Sequence, residues 1–197
     1  MARRPGKRTA AVGVVESANT AVLVTLDAGG GLLDRREVVL TEPGLSTHPH
    51  HHEGSLAVGR YLDSPWARRV SLADALALVE RVRASAQRGA AEALEELAST
   101  VGKSVAAIAL RVCPRLPAST EAIIRDHRAQ TVADSVMYRR ALAVAAEARG
   151  WVVHWYEPAW LDPASRRVVG IGNEAGPPWQ AKHKLAAAAA LRVLRMK

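Results

Sequence analysis

The chain has 197 residues, of which 49% are hydrophobic and 23% are charged. This balance is typical of one folded domain with a sizeable core, and it argues against disorder over most of the length. The single cysteine, Cys113, excludes a disulfide framework and any cysteine-rich zinc module.

The formal net charge of +8 is concentrated at the two ends of the chain. The first eight residues carry +4 and residues 175–197 carry +5, so residues 9–174 carry −1. A basic arm and a basic final helix are typical of a phosphate-binding surface, although a solvated helix face gives the same pattern. The candidate nucleic-acid-binding residues are Arg3, Arg4, Lys7, Arg8, Lys182, Lys184, Arg192 and Arg195.

Membrane and export signals are not evident in the sequence. No segment approaches the roughly 20 apolar residues that span a bilayer. The apolar run at 10–15 is too short for the core of a signal peptide and ends at Glu16. We therefore expect a cytoplasmic protein with no membrane partner.

Three strands are predicted in the first part of the chain, at 10–15, 21–26 and 32–40. Turn residues at 17–20 and 27–31 separate them, which favours an antiparallel meander. Residues 41–70 lack periodicity and contain a histidine-rich stretch, so we expect a long ordered loop. Ser71 and Asp74 then resemble a helix cap, and apolar residues recur at helical spacing as far as Leu97, before Gly102.

The second part of the chain predicts alternating strands and helices. A buried strand is expected at 105–112, a helical region broken near Gln130 at 121–149, and a fifth strand at 151–156. Residues 158–178 are irregular, with a short strand predicted at 167–171, and a basic, alanine-rich helix closes the chain at 179–194. Right-handed crossovers would place the fourth and fifth strands parallel to the first.

These elements predict an α/β fold, a five-stranded mixed sheet with helices on both faces. We expect residues 1–9 to form a basic arm and residues 10–197 a single domain with the histidine-rich loop at 41–70. The element order resembles the ribonuclease H-like fold, in particular its RuvC-like branch.

Two short segments carry this resemblance. Members of the family place an acid at the end of the first strand, and Gly13-Val14-Val15-Glu16 is similar to that segment, with one extra residue and Glu for Asp. Their last helix opens with acids and continues through small residues, and the segment 182–187 (KHKLAA) is similar to it. The resemblance implies hydrolysis of phosphodiesters by two metal ions held between carboxylates.

The sequence departs from the family where those carboxylates are expected. The fourth strand ends at Arg111, and Lys182, His183 and Lys184 stand at the opening of the last helix. Only Glu16 remains. Because one carboxylate cannot hold two divalent ions, we expect the usual metal site to be degenerate.

The densest group of potential metal ligands is His48-Pro49-His50-His51-His52-Glu53. Imidazole nitrogens bind transition metals, and Glu53 could act as a ligand or a base. An exposed loop with adventitious metal affinity is the alternative. A built site would recruit Glu16 or His183 from elsewhere, and Asp126 and Asp134 would join Glu16 only if their helix packs near the first strand.

Tryptophan is unusually frequent, with five residues in a chain that has no phenylalanine. Trp66 and Trp179 follow prolines, and exposed tryptophan beside cations can stack on the bases of single-stranded nucleic acid. More often such residues close the edge of a core.

Three functional hypotheses follow. The leading one is a nucleic-acid-binding domain with a lost or altered metal site. The second is a metal-dependent nuclease with Glu16 and His183 as catalytic residues and a divalent ion (Mg²⁺, Mn²⁺ or Zn²⁺) held by His48, His50, His51, His52 and Glu53. The third is a non-catalytic scaffold that forms homo-oligomers through its alanine-rich helix.

Overall fold

The computed structural model describes residues 9–102 and 105–196. Within these residues, five strands form one sheet with the order β3-β2-β1-β4-β5. The strands are β1 (Ala10–Ser17), β2 (Thr20–Leu26), β3 (Leu32–Val39), β4 (Val105–Arg111) and β5 (Val152–Tyr156). The predicted arm residues Arg3, Arg4, Lys7 and Arg8 lie outside the described part of the chain.

The strand pairing confirms the predicted mixed sheet. β1 pairs with β2 in antiparallel register, and β2 pairs with β3 in the same way. β4 runs parallel to β1, and β5 runs parallel to β4. The sheet is therefore a meander extended by two parallel strands, because each later strand is reached through a helical crossover.

Helices cover both faces of the sheet. They are α1 (Glu53–Ala57), α2 (Leu72–Val101), α3 (Thr120–Arg125), α4 (His127–Ala148), α5 (Arg166–Ala175) and α6 (Ala181–Arg195), with a 3₁₀ turn at Pro158–Trp160. The core of one face joins Val12 and Val14 to α2 and α4. The core of the other joins Val22 and Val24 to α5 and α6. No helix in the described residues is long and apolar enough to cross a membrane.

The ends of α2 lie where the sequence predicts them. The hydroxyl of Ser71 accepts a hydrogen bond of 3.0 Å from the backbone N–H of Asp74, which caps the first turn. Gly102 follows the helix with a φ of 58°, a left-handed conformation that glycine adopts without steric cost.

Two predicted elements differ from the structure. The strand predicted at 167–171 is wrong, because these residues belong to α5. Val168 and Ile171 are buried three positions apart, on one face of that helix. The predicted helical region at 121–149 is two helices, and the break falls at Asp126 rather than near Gln130. The Asp126 carboxylate accepts from the N–H groups of Arg128 and Ala129 and so begins α4.

Candidate functional site

Close packing between β1 and α6 fixes which face of the sheet each residue of β1 occupies. A Cβ added at Gly13 would lie 1.8 Å from the carbonyl oxygen of Ala186 and 2.7 Å from the backbone nitrogen of Ala190. Gly13 therefore faces α6, and the buried alanines of that helix contact the sheet. The small residues of α6 thus serve packing within the chain.

The side chain of Glu16 points away from α6. Side chains alternate along a strand, so Val15 lies on the same face as Gly13, whereas Val14 and Glu16 lie on the opposite face. Val15 packs with the α6 core and Val14 with the α2 and α4 core. Compared with the family segment, one extra residue separates Gly13 from the acid. This residue places the carboxylate of Glu16 on the other side of the sheet.

Glu16 is neutralised on that side by Arg139 of α4. The Nε of Arg139 donates to Oε1 of Glu16 over 2.6 Å, and its Nη1 donates to the carbonyl oxygen of Val112 over 2.7 Å. The two side chains are only 6% and 7% exposed. A buried carboxylate held by a guanidinium contributes no free negative charge with which to attract a metal ion.

Among the described residues of β1 and β4, no acidic side chain lies at the carboxyl-terminal ends of these strands on the face covered by α6. Near these ends, Val15 of β1 faces α6, and Arg111 of β4 is exposed. Arg111 shares its face with Ala109, which packs against Ala189 of α6. The adjacent phenol of Tyr156 donates to the carbonyl oxygen of Val14 over 2.9 Å, and burial raises its pKa well above the usual value.

The first turn of α6 is cationic. Lys184 is exposed and Lys182 is half-buried. The backbone N–H of Gln180 donates to Nδ1 of His183 over 3.1 Å, and the His183 ring stacks on Trp179 with their centroids 5.7 Å apart. Desolvation, together with the charge of Arg35, lowers the pKa of His183 below its usual value. His183 is therefore a neutral capping group near pH 7.

Arg192 and Arg195 lie near the other end of α6, about 15 Å and about 20 Å from Lys182 by the rise of a helix. The guanidinium of Arg192 lies over the ring of Trp160, 5.2 Å from its centroid. The candidate cations of α6 thus form two separate groups.

The histidine-rich stretch folds into a tight turn rather than an extended segment. The N–H of His52 donates to the carbonyl oxygen of His48 over 2.7 Å, and their rings lie 5.1 Å apart. The His51 ring is 5.5 Å from that of His52, and desolvation lowers the pKa of His51. Glu53 accepts hydrogen bonds from Ser46 and Arg68.

His50 is separated from the other histidines by burial. Its Nδ1 lies 2.7 Å from Oδ1 of Asp134, and both side chains are less than 5% exposed. The Asp134 carboxylate also accepts from the backbone N–H groups of His50 and His51. Asp134 thereby anchors this turn to α4, and Asp126 caps the same helix, so neither joins Glu16 in an acidic cluster.

No group of three or more His, Cys, Asp or Glu side chains is placed to hold a metal ion in the described residues. The two-metal site that the resemblance implies does not fit this set of side chains, because Glu16 is paired with Arg139 and cations stand at the other expected positions. The structure does not bring Glu16, His183 and the loop histidines together in a single cluster.

An exposed aromatic surface lies beside the histidine turn. Trp66 is 56% exposed and Tyr61 is 43% exposed, with ring centroids 6.2 Å apart. The His52 ring lies 6.4 Å from that of Trp66, and the hydroxyl of Tyr61 is 3.4 Å from Nε2 of His127. We name Tyr61, Trp66 and His52 the aromatic surface.

Arg139 and Tyr61 are the residues that the sequence reasoning missed. Arg139 stands on the buried side of α4, between Val136 and Leu142, where an arginine implies a buried acidic partner. That signal is visible in the sequence. Tyr61 gives no comparable signal, because it lies in an irregular stretch and adopts a left-handed φ of 58°.

No protein-family model and no curated protein sequence matches the chain. Among solved structures, it is similar to Thermus thermophilus RuvC in complex with a Holliday junction substrate, with a TM-score of 0.50 and 16% identity over 93% of this chain and 90% of that one. A second Thermus thermophilus RuvC structure gives a TM-score of 0.46 and 15% identity over 93% and 92% of the two chains. The predicted architecture is confirmed, and the chain has a ribonuclease H-like fold of the RuvC-like type.

Proposed function

We propose that this chain binds nucleic acid at the end of the sheet where β1 and β4 finish and α6 begins, which we name the α6 edge. We also propose that it does not hydrolyse phosphodiesters by a two-metal mechanism. One observation carries the proposal. At that edge Arg111, Lys182 and Lys184 stand where a RuvC-like nuclease would need acids, and the one remaining carboxylate, Glu16, faces the other way. An edge with this charge attracts phosphate and repels divalent cations.

The geometry of α6 supports phosphate binding. Lys182 and Lys184 form no ion pair within the described residues, so their charges are available to a ligand. They lie in the first turn of a helix, where the backbone dipole also favours an anion. Arg192 and Arg195 at the far end of the helix supply a second group of cations, and we include the arm residues Arg3, Arg4, Lys7 and Arg8 in the proposed interface.

The aromatic surface favours nucleic acid over other polyanions as the ligand. Exposed aromatic rings bind unpaired bases by stacking, at roughly 1–3 kcal/mol per base. Trp66 is followed in the sequence by Arg68 and Arg69, which are both exposed, and Arg68 pairs with Glu53.

The test is a binding titration at several salt concentrations, followed by fluorescence anisotropy. A four-way DNA junction is the first probe, because the similar RuvC structure contains a Holliday junction, and a single strand of the same sequence is the second. We expect affinity to fall steeply with salt for at least one of them. Affinity that does not depend on salt, or no binding of either probe, contradicts the proposal.

A charge-matched pair of variants locates the interface. The double variant Lys182→Gln, Lys184→Gln should reduce the slope of log affinity against log salt by about 2, the number of phosphate contacts removed. The control Arg81→Gln, Arg88→Gln removes two exposed charges from α2, on the other face of the sheet, and should leave the slope unchanged. Equal effects in both variants would exclude the α6 edge as the site.

The nuclease alternative is tested with the same DNA probes in the presence of Mg²⁺, Mn²⁺ or Zn²⁺. We expect no cleavage products on a denaturing gel. Metal-dependent cleavage that is lost in His51→Ala would overturn the non-hydrolytic part of the proposal and favour a site rebuilt around the histidine turn.

A further inference from the structure

A cavity of about 520 Å³ lies between α2, α3 and α4, on the face of the sheet opposite to α6. Its wall combines apolar residues, which include Leu116, Ile123 and Met137, with a comparable share of polar groups. Its polar wall residues include His50, Arg83 and Arg140. A concave cavity of this size that combines apolar side chains with a few polar groups is typical of a small-molecule site.

His50 is held in a single orientation at this cavity. Its ring Nδ1 is 2.7 Å from Oδ1 of Asp134, and its own backbone N–H donates to the same carboxylate oxygen over 3.0 Å. Because Asp134 engages Nδ1, Nε2 is the ring nitrogen that remains for a ligand, and it forms no hydrogen bond within the described residues. A carboxylate that binds one ring nitrogen of an imidazole also fixes the position of the other, so Nε2 of His50 is held in place for a ligand atom.

Two arginines line the cavity, one on α2 and one on α4. Arg83 of α2 reaches Thr120, with Nη2 3.3 Å from its hydroxyl oxygen, and also pairs with the exposed Glu80. Arg140 of α4 is exposed and forms no ion pair with any described residue. None of the described residues that line the cavity is acidic. The cavity is therefore suited to an anion with an apolar body.

We propose that this cavity binds a nucleoside monophosphate unit. The guanidinium of Arg140, which forms no ion pair within the described residues, is available to bind phosphate oxygens in a bidentate manner, and Arg83 adds a second guanidinium that is already paired with Glu80. The apolar wall of Leu116, Ile123 and Met137 accommodates the base, and Nε2 of His50 supplies a hydrogen bond. This site is independent of the α6 edge, and the unit it binds is either a free nucleotide or one nucleotide of a strand.

Isothermal titration calorimetry with AMP tests the free form, and a short single-stranded DNA tests the form within a strand. Arg140→Gln should weaken binding about tenfold or more, because a charge-assisted hydrogen bond is removed. Arg128→Gln is the matched control, since it removes an exposed arginine from the same helix outside the cavity and should have no effect. Inorganic phosphate should bind more weakly than AMP, because it does not use the apolar wall.

An NMR titration with AMP provides a second measurement that requires no substitution at His50. The ring resonances of His50 should shift on ligand addition, and those of His183 should not. The Lys182→Gln, Lys184→Gln variant should bind AMP as the unsubstituted protein does, which separates this proposal from that for the α6 edge. No Arg140-dependent binding of either probe at millimolar concentration, or equal loss in Arg128→Gln, would overturn the proposal.

Discussion

The carboxylate of Glu16 and the guanidinium of Arg139 form a buried ion pair across the contact between β1 and α4, with Oε1 and Nε 2.6 Å apart. The pair lies at the end of the first strand, where the family resemblance predicts a free acid. Arg139 also donates to the carbonyl oxygen of Val112, just after β4, so it ties together the ends of the two central strands. Glu16 thereby connects the end of β1 to α4.

Removing one partner of this pair should destabilise the protein strongly. In Glu16→Gln the Arg139 charge stays buried without a counter-ion, and we expect a loss of about 3–5 kcal/mol in the free energy of unfolding. Urea denaturation measures this loss. The control is Glu121→Gln, which breaks an exposed pair with Arg125 and should cost less than about 1 kcal/mol. Equal small losses in both variants would contradict a structural role for Glu16.

Removing both charges should recover part of this stability. The double variant Glu16→Gln, Arg139→Met leaves no unpaired buried charge, so we expect it to be more stable than Glu16→Gln alone. The same urea denaturation measures the difference. A double variant less stable than the single one would show that the hydrogen bond from Arg139 to Val112, rather than its charge, supports the fold.

The sequence predicts that Glu16 lies on the face of β1 opposite to Gly13. Gly13 is the residue that α6 approaches closely, and the alternation of side chains along a strand places the third residue after it on the opposite face. The similarity of the segment to the family pattern concealed this, because one extra residue reverses the direction of the acid. The positions of the strands along the sequence were also predictable, because period-two alternation and turn residues are local signals.

Other features depend on contacts that no local pattern encodes. The run Val168-Val169-Gly170-Ile171 has the composition of a strand, yet packing of Val168 and Ile171 against α6 makes it helical. The histidine stretch bends into a turn because the Asp134 carboxylate, 84 residues from His50, accepts two of its backbone N–H groups. Tertiary contacts of this kind override local preference.

The contact between β1 and α6 should tolerate no side chain at Gly13. In Gly13→Ala the new Cβ would overlap the backbone of Ala186, so the helix must move away from the sheet. We expect a loss of roughly 3 kcal/mol or more in the free energy of unfolding. Gly170→Ala is the control, because no atom lies within 4 Å of its added Cβ and it stands within α5.

The Gly170→Ala control should be more stable than the unsubstituted protein by up to about 1 kcal/mol, since alanine has a higher helix propensity than glycine. Thermal denaturation of both variants measures the two effects. A Gly13→Ala variant as stable as the unsubstituted protein would show that α6 does not pack on β1 at this distance.

The pKa of His183 should respond to its neighbours on β3. Burial and the charge of Arg35 lower this pKa, and the carboxylate of Glu37 opposes them. Glu37→Gln should therefore lower the pKa of His183 further, as followed by the ring resonances in an NMR pH titration. Glu92→Gln, on α2, should leave it unchanged. A rise in the pKa of His183 in Glu37→Gln would contradict the placement of α6 over β3.

Protein stability should decrease as pH falls through the titration of His183. Its folded pKa is below the unfolded value near 6.5, so the unfolded state binds more protons between the two. The contribution of the neutral ring is complete above the unfolded pKa and is lost as pH falls through the folded pKa. His183→Gln retains an acceptor for the N–H of Gln180 and should show a weaker decrease between pH 7 and pH 5. Identical pH profiles of unfolding free energy would count against this effect.

The histidine turn should depend on the two acceptor oxygens of the Asp134 side chain. Its carboxylate accepts from the backbone N–H groups of His50 and His51 and lies against the His50 ring, so every group facing it is positioned to donate. In Asp134→Asn the side-chain amide N–H₂ faces one of these donors, which leaves a buried donor unsatisfied at a cost of about 1–3 kcal/mol. We expect urea denaturation to show this loss in the free energy of unfolding. The substitution should also accelerate amide hydrogen exchange at residues 48–52 more than at other residues. Asp162→Asn, at an exposed position, is the control and should change neither quantity. Unchanged exchange at residues 48–52 in Asp134→Asn would show that the turn is held by its own backbone hydrogen bonds.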